Sequence, residues 1–399
     1  MEVCSDWMDA PGSKDQVPAH KLMQDRALRC YNPVNGGSTG TRMATYEEEA
    51  MTSDSTSTLR FNVTYHPTPY PHAMRRDLIE IAEVCDGIYL PFAEGQLEYY
   101  SNMIKSCIDI AHDLGLIVVA DFWGYGNLFA CGAMPSLFTI QHPEHNCVSS
   151  LGRAVPKSCP NKSAVRAFMK QSIERFMEKY GADGVFWDEP HYTLAGYLGK
   201  LEDGEWLCRC ADCQALFSDQ NGREMPVVCD AAVQEFRNRT MLSFLSDLCA
   251  YTKGCSDHLI TATCIMTSDP PQFREAVAQT AHLDIFGIDP YWRPNQEVSQ
   301  KNFIDAFTGE TVRMGREHSR LVESWVCAWK LDAGHEADAY RAAKLNAMHD
   351  LDYISAWSYR DYVSWDQCDR PNRADPEEVW KHLRRAYHEI REGDLELHL

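Results

Sequence analysis

The chain has 399 residues, of which 44% are hydrophobic, and this is enough to bury one large core. Its formal net charge of −20 gives a surface that repels phosphate groups, which argues against nucleic acid and anionic membranes as partners. No stretch of the sequence approaches the ~20 consecutive apolar residues of a membrane span.

Residues 1–58 lack hydrophobic periodicity and are rich in Ser, Thr, Gly, Asp and Glu, as in GGSTGT and TSDSTST. We expect a loosely ordered N-terminal extension, within which Met43 and Met51 are alternative start positions. The segment Met1–Lys21 has no apolar run behind a basic end, which argues against a signal peptide. We therefore expect a cytoplasmic protein whose 16 cysteines are thiols and not a disulfide framework.

From Leu59 onward, short apolar or aromatic runs alternate with amphipathic segments, a pattern that predicts parallel strands joined by helices. The eight predicted strands are Leu59–Tyr65, Asp86–Pro91, Leu116–Phe122, Asp183–Trp187, Leu259–Met266, Leu283–Ile288, Arg320–Trp325 and Tyr353–Ser358. The helical stretches include Met74–Val84, Leu97–Leu114, Ser163–Tyr180, Ala231–Tyr251, Ala337–Asp350 and Pro376–Arg391. Eight such units predict an α/β fold, a closed (β/α)8 TIM barrel over residues 59–399.

An open doubly wound sheet is the competing fold, but no G-x-G-x-x-G follows the first strand, which disfavours it. Two predicted connections are long, 123–163 after the third strand and 191–229 after the fourth. Loops that follow strands lie on the C-terminal face of a barrel, where barrel enzymes keep their active sites. The sequence therefore predicts a site bordered by these two loops.

Acidic residues stand at or near the ends of four predicted strands: Asp121 on the third, Asp188 and Glu189 on the fourth, Asp289 on the sixth and Glu323 on the seventh. Such ends point at one opening in a barrel. Nearby polar or aromatic residues are candidate sugar contacts: Trp123, His191, Trp292, Trp357 and Tyr359. Trp187 lies within the fourth strand and is interpreted as filling the barrel. Helix N-capping is the alternative role of Asp121 and Asp289.

Glycoside hydrolysis needs one acid to protonate the leaving oxygen and a second carboxylate to attack or stabilise the oxocarbenium-like centre. Retaining enzymes hold the two about 5 Å apart and inverting enzymes about 6.5–9.5 Å apart. Glu189 and Glu323 come from strands on opposite sides of a barrel opening, so they are able to flank one bond. We therefore predict a glycoside hydrolase acting on a soluble oligosaccharide or glycoside; a homo-oligomer is one possible assembly.

Three cysteines, Cys208, Cys210 and Cys213, follow the fourth strand with the spacing C-x-C-x-x-C. Three thiols within six residues can reach one metal ion, and Zn²⁺ favours four thiolate or imidazole ligands in a tetrahedron. We predict a structural zinc ion that holds the loop at about 192–229. The candidates for the fourth ligand are Cys131, Cys147, Cys159 and Cys229, and buried or free thiols are the alternative.

Asp188, Glu189 and Pro190, together with Glu323, resemble the clan of retaining glycoside hydrolases with acids on strands four and seven, where Asn usually precedes the Glu-Pro pair. The cysteine segment, with Cys159, Pro160 and Asn161 upstream, is similar to the zinc-binding segment of family 42 β-galactosidases. The resemblance implies Glu189 as acid/base and Glu323 as nucleophile. It also implies Cys159 as the fourth zinc ligand.

Two alternatives remain. The pattern G-x-D-G-V-x-x-D on the fourth strand also resembles α-glycosidases, in which Asp188 would be the nucleophile and Asp289 the acid. The other alternative is a non-catalytic, zinc-stabilised barrel that binds carbohydrate.

Overall fold

The computed structural model describes residues 59–130, 133–192, 200–361 and 372–398. The predicted extension 1–58, the candidate ligand Cys131 and residues 193–199 of the predicted cysteine-rich insertion lie outside these ranges.

Eight parallel strands close into a barrel, in the order β1-β2-β3-β6-β7-β8-β9-β10 and back to β1. Their bounds are β1 Arg60–Thr64, β2 Gly87–Pro91, β3 Ile117–Asp121, β6 Gly184–Asp188, β7 Ile260–Met266, β8 Ile285–Asp289, β9 Leu321–Cys327 and β10 Tyr353–Trp357. Every predicted strand is present, with each end within two residues of its predicted position. The (β/α)8 barrel is confirmed.

Helices alternate with the barrel strands along the described chain. They are α1 Pro71–Ala82, α2 Glu94–Tyr99, α3 Ser101–Asp113, α4 Leu137–Gln141, α5 Ser163–Tyr180, α6 Ala211–Asn221, α7 Ala231–Cys255, α8 Pro271–Ala278, α9 Gln300–Glu317, α10 Asp338–Asn346 and α11 Pro376–Arg391. The stretch predicted as one helix over Leu97–Leu114 is divided, because the backbone of Tyr100 leaves helical geometry (φ −124°, ψ 30°). No helix within the described ranges is long and apolar enough to cross a membrane.

The two long loops on the C-terminal face contact each other. The loop after β3 contains an antiparallel hairpin, β4 Asn146–Val148 and β5 Ala154–Ser158, which the sequence analysis did not predict. The amide of Arg209, in the loop after β6, donates to the carbonyl of Val148 at 2.7 Å. The two loops therefore form one folded unit beside the barrel opening.

Apolar side chains divide into an inner and an outer layer around the barrel wall, as strand alternation requires. The inner layer fills the barrel with large rings such as Tyr89, Phe186 and Trp325. The prediction that Trp187 fills the barrel is wrong: it lies in the outer layer, where its ring contacts Phe122 and Phe129. The alternation that turns Trp187 outward turns the next residue, Asp188, inward.

Candidate active site

Four carboxylates meet at the C-terminal ends of three barrel strands. Asp121, Asp188 and Asp289 are the last residues of β3, β6 and β8, and Glu189 follows Asp188 directly. Asp121 and Asp188 lie two residues after the inward-facing Val119 and Phe186, and Asp289 lies four residues after the inward-facing Ile285. Strand alternation therefore turns all three side chains inward. We call these four residues the acid cluster.

The end of β6 is held in place by its neighbours on both sides. The carbonyl of Asp188 accepts from the amide of Ala130 at 2.8 Å, and the amide of Glu189 donates to the carbonyl of Cys264 at 3.0 Å. Glu189 has a left-handed backbone (φ 44°), which is uncommon for a residue with a side chain and is found at functional sites. Its carboxyl group is half-buried and hydrogen-bonded to that of Asp289.

Burial and mutual repulsion favour the protonated form of the aspartates. The pKa of Asp121 is raised well above its usual value, first by burial and then by the negative charge of Glu189. The pKa values of Asp188 and Asp289 are raised for the same two reasons. Within the described residues, neither carboxylate oxygen of Asp121 has a hydrogen-bond partner. Because the pKa values of all three aspartates are raised well above the usual range, the cluster retains at least one proton at neutral pH.

Aromatic rings lie beside the acid cluster. The ring centroids of Trp123 and Trp357 are 6.1 Å apart, and both rings contact the edge or face of His66, at 5.4 and 5.6 Å. Burial lowers the pKa of His66 to about 3, so this imidazole is neutral at physiological pH. Trp123 and Trp357 thus flank a neutral imidazole ring.

His66 is a site residue that the sequence analysis missed. It follows β1 by two residues, just as Trp123 follows β3. A search for any polar or aromatic residue at that offset would have found it, whereas a search for carboxylates did not.

Glu323 lies deeper than the acid cluster. It is the third of seven residues in β9, not a residue near the strand end, and none of its surface is exposed. Its carboxylate accepts from Tyr89 at 2.8 Å, from the indole of Trp325 at 3.0 Å and from Ser355. A side chain on Gly287 would lie 3.3 Å from one Glu323 oxygen, so the glycine makes room for the carboxylate.

Three further predicted sugar contacts have other partners. The hydroxyl of Tyr359 donates to Glu80 at 2.9 Å on the outer side of the barrel, where the ring packs against Trp380. The indole nitrogen of Trp292 donates to the carbonyl of Val298 at 2.7 Å. His191 is buried, and its Nδ1 contacts the backbone carbonyl of Glu189, so it lies next to the cluster and shapes its loop.

Four cysteine sulfurs form a separate group at the base of the two long loops. Those of Cys159, Cys208, Cys210 and Cys213 all lie within 4.8 Å of one another. The sulfur of Cys159 is 3.5 Å from that of Cys213 and 3.7 Å from that of Cys210. Tetrahedral thiolates at ~2.3 Å from a zinc ion are ~3.8 Å apart, so the donor set fits this metal.

Two of the other candidate ligands are placed differently. Cys147 adjoins the group, but its sulfur donates to the carbonyl of Ser158 at 3.3 Å. The sulfur of Cys229 faces Gln234 at 3.8 Å. Cys159 is thus the residue that the fold adds to the C-x-C-x-x-C segment.

No protein-family model matches the sequence, and no curated protein matches it. Solved structures do match the fold. The β-galactosidase of the psychrophilic Marinomonas ef1 matches with a TM-score of 0.60 and 12% identity over 84% of this chain and 60% of that chain. The β-galactosidase of the Antarctic haloarchaeon Halorubrum lacusprofundi matches with a TM-score of 0.60 and 14% identity over 83% and 58%.

An endo-1,4-β-mannanase from Rhizomucor miehei matches with a TM-score of 0.53 and 8% identity, over 84% of this chain and 97% of that chain. The chain thus spans 58–60% of the length of the two β-galactosidases and nearly all of the mannanase. These likenesses establish a barrel of the kind that glycoside hydrolases use.

Proposed function

We propose that this protein is a glycoside hydrolase that cleaves its substrate at the acid cluster. The observation that carries the proposal is the meeting of Asp121, Asp188, Glu189 and Asp289 at one opening, beside the rings of Trp123 and Trp357. Sugars bind through hydroxyl groups and flat apolar faces, and both kinds of partner are available there. The shared barrel of β-galactosidases and a mannanase supports the same reaction class.

We propose that the Glu189–Asp289 pair supplies the general acid. The two carboxyl groups are hydrogen-bonded, which requires a proton between them, and that proton can pass to the leaving oxygen. Asp188 is then the nucleophile that attacks the anomeric carbon, because it is the last inward-facing residue of β6 and adjoins the pair. It must be ionised to attack, and the proton held by the Glu189–Asp289 pair favours this by removing a negative charge beside it. Water later releases the sugar, with the same pair acting as base.

The competing assignment keeps Glu189 as acid/base and gives the nucleophilic role to Glu323. It is supported by the resemblance to enzymes with acids on strands four and seven. The enclosure of Glu323 by Tyr89, Trp325 and Ser355 favours Asp188 instead, because a nucleophile must reach the sugar.

Azide rescue of alanine variants separates the two assignments. A small anion can occupy the space of a deleted nucleophile and attack the anomeric carbon in its place. We expect that azide enables the Asp188→Ala variant to turn over an activated aryl glycoside again. The Glu323→Ala variant should not be rescued. Rescue of Glu323→Ala alone would transfer the role to Glu323. NMR of the first-formed anomer then establishes retention, and inversion would contradict both nucleophile assignments.

We also propose that Cys159, Cys208, Cys210 and Cys213 bind one structural zinc ion. The support is the sulfur spacing together with the position of the ligands: Cys159 lies before α5, whereas Cys210 caps the start of α6. The metal would therefore join the loops after β3 and β6. Four thiolates leave no position for a substrate, so the zinc has no part in bond cleavage.

A further inference from the structure

We propose that a cavity beside the acid cluster binds the leaving-group portion of a neutral oligosaccharide. This side cavity has a volume of about 590 Å³ and lies between α7 and the loops after β6 and β7. Such a volume is typical of ligand pockets. The inference rests on the proposed function and extends it, since it requires a substrate with sugar units beyond the cleaved bond.

The side cavity adjoins the acid cluster through two strands. Pro190 lines the cavity and directly follows Glu189. Met266 also lines it and pairs with Asp289 across β7 and β8. The side cavity therefore lies next to the acid cluster, on the side that a saccharide extending beyond the cleaved bond would occupy.

One wall of the cavity is an ordered row of planar polar groups on α7. The side-chain amide of Gln234 donates to the Oδ1 of Asn238 at 2.8 Å, one helical turn away. Gln234 in turn accepts from the guanidinium of Arg237 at 2.7 Å. Arg237 also donates to the carbonyl of Leu207 and lies 4.9 Å from the ring centroid of Tyr192. These contacts fix the row before any ligand binds.

The row has unused hydrogen-bonding capacity of the kind that sugar hydroxyls match. Within the described residues, the amide nitrogen of Asn238 has no acceptor, while its oxygen is used by Gln234. Asp269, in the loop after β7, also lines the cavity and accepts the amide of Met266 through one oxygen only. The cavity lining therefore offers a donor and an acceptor from two different elements.

Apolar surface completes the cavity. Met241 and Phe273 line it together with the ring of Tyr192. The charges of the cavity lining balance: Glu205 is paired with Arg153, and the positive charge of Arg237 is matched by the carboxyl group of Asp269. Donors, acceptors and apolar surface without a net charge match a neutral sugar chain.

The test compares two substrate classes on Asn238→Ala and on a matched control. A glycosyl fluoride has a single atom as its leaving group and leaves the cavity empty, whereas a β-linked galacto- or manno-oligosaccharide of two to six units fills it. We expect Asn238→Ala to reduce kcat/KM at least tenfold on the oligosaccharides and less than twofold on the fluorides. Glu235→Ala, an exposed position on the same helix, should change neither. Unchanged oligosaccharide kinetics, or an equal loss on both classes, would overturn the proposal.

Failure of the side cavity and failure of the proposed function have different signatures. If the wild-type protein cleaves no substrate, calorimetric titration with the same oligosaccharides replaces kinetics. If the wild-type protein binds the oligosaccharides and Asn238→Ala weakens this binding tenfold, the side cavity proposal stands and the hydrolase proposal is rejected. If the wild-type protein binds none of them, both proposals are rejected. Asn238→Leu, which is nearly isosteric, repeats the test if the alanine variant does not fold.

Discussion

The hydroxyl of Tyr89 lies 2.8 Å from one carboxylate oxygen of Glu323 and 3.0 Å from the other, in a barrel interior filled largely by aromatic and aliphatic side chains. Trp325 and Ser355 donate to the same carboxylate. A buried carboxylate is costly unless it is hydrogen-bonded, and three donors offset that cost here. Glu323 therefore organises the interior of the barrel beneath the acid cluster.

This burial predicts a pH dependence of stability. Burial raises the pKa of Glu323 from 4.5 to about 7, so the folded state binds a proton more tightly than the unfolded state does. The resulting stability is complete below pH ~4.5 and is lost as the pH rises through ~7. We expect Glu323→Gln, which cannot ionise, to gain ~3 kcal/mol relative to wild type between pH 4.5 and pH 8.

Urea unfolding at a series of pH values measures this difference directly. Glu317→Gln is a suitable control because Glu317 is exposed at the end of α9. A constant difference between Glu323→Gln and wild type over the whole range would show that Glu323 does not titrate with a raised pKa.

Removing a donor to Glu323 should also destabilise the fold. Tyr89→Phe deletes one hydrogen bond to a charged, fully buried group, for which we expect a loss of ~1.5–3 kcal/mol in the free energy of unfolding at pH 8. The loss should be smaller at pH 5, where Glu323 is protonated. An equal loss at both pH values would mean that packing of the ring, and not the bond to the carboxylate, is responsible.

The aromatic rings beside the acid cluster lead to a prediction about catalytic efficiency. Trp357→Ala removes a ring next to both Trp123 and His66, so we expect kcat/KM for any cleaved glycoside to fall about tenfold or more. Trp292→Ala is the matched comparison, because that indole is tied to the carbonyl of Val298. If the two variants lose equal activity, Trp357 has no special role in binding the sugar.

The cysteine group predicts one zinc ion per chain, measurable by elemental analysis of the purified protein. Cys208→Ser should abolish the metal and lower the melting temperature by several degrees, because a ligand bound only by the folded state stabilises it. Cys255→Ser, at an exposed thiol, should retain both. Full zinc content in Cys208→Ser would exclude this set of ligands.

The sequence was sufficient to predict the barrel, because the period of the hydrophobic pattern and the length of each segment distinguish its strands from its helices. The helices over Ser163–Tyr180 and Pro376–Arg391 match their predicted bounds, and each ends where local chemistry requires it: α5 stops at Gly181, which has a left-handed backbone, and α11 begins with a proline. The β4–β5 hairpin was missed because three- and five-residue strands carry too little alternation to detect.

Depth along a strand was the quantity that the sequence could not supply. Asp188 and Glu323 both stand in apolar runs, but the first ends its strand and the second lies near the start of β9. The sequence also did not show whether the side chain of Trp187 faces the inside or the outside of the barrel. The hydrogen bonds of Tyr359 and Trp292 come from residues on distant helices and loops, and a single sequence does not show such contacts.

The most direct test of the central claim is the rate at which Glu189→Gln hydrolyses a cleaved aryl glycoside, compared with wild type. We predict a kcat/KM lower by about 10²–10⁴-fold, with an unchanged melting temperature, because the amide cannot transfer the shared proton. Wild-type turnover by Glu189→Gln would contradict catalysis at the acid cluster.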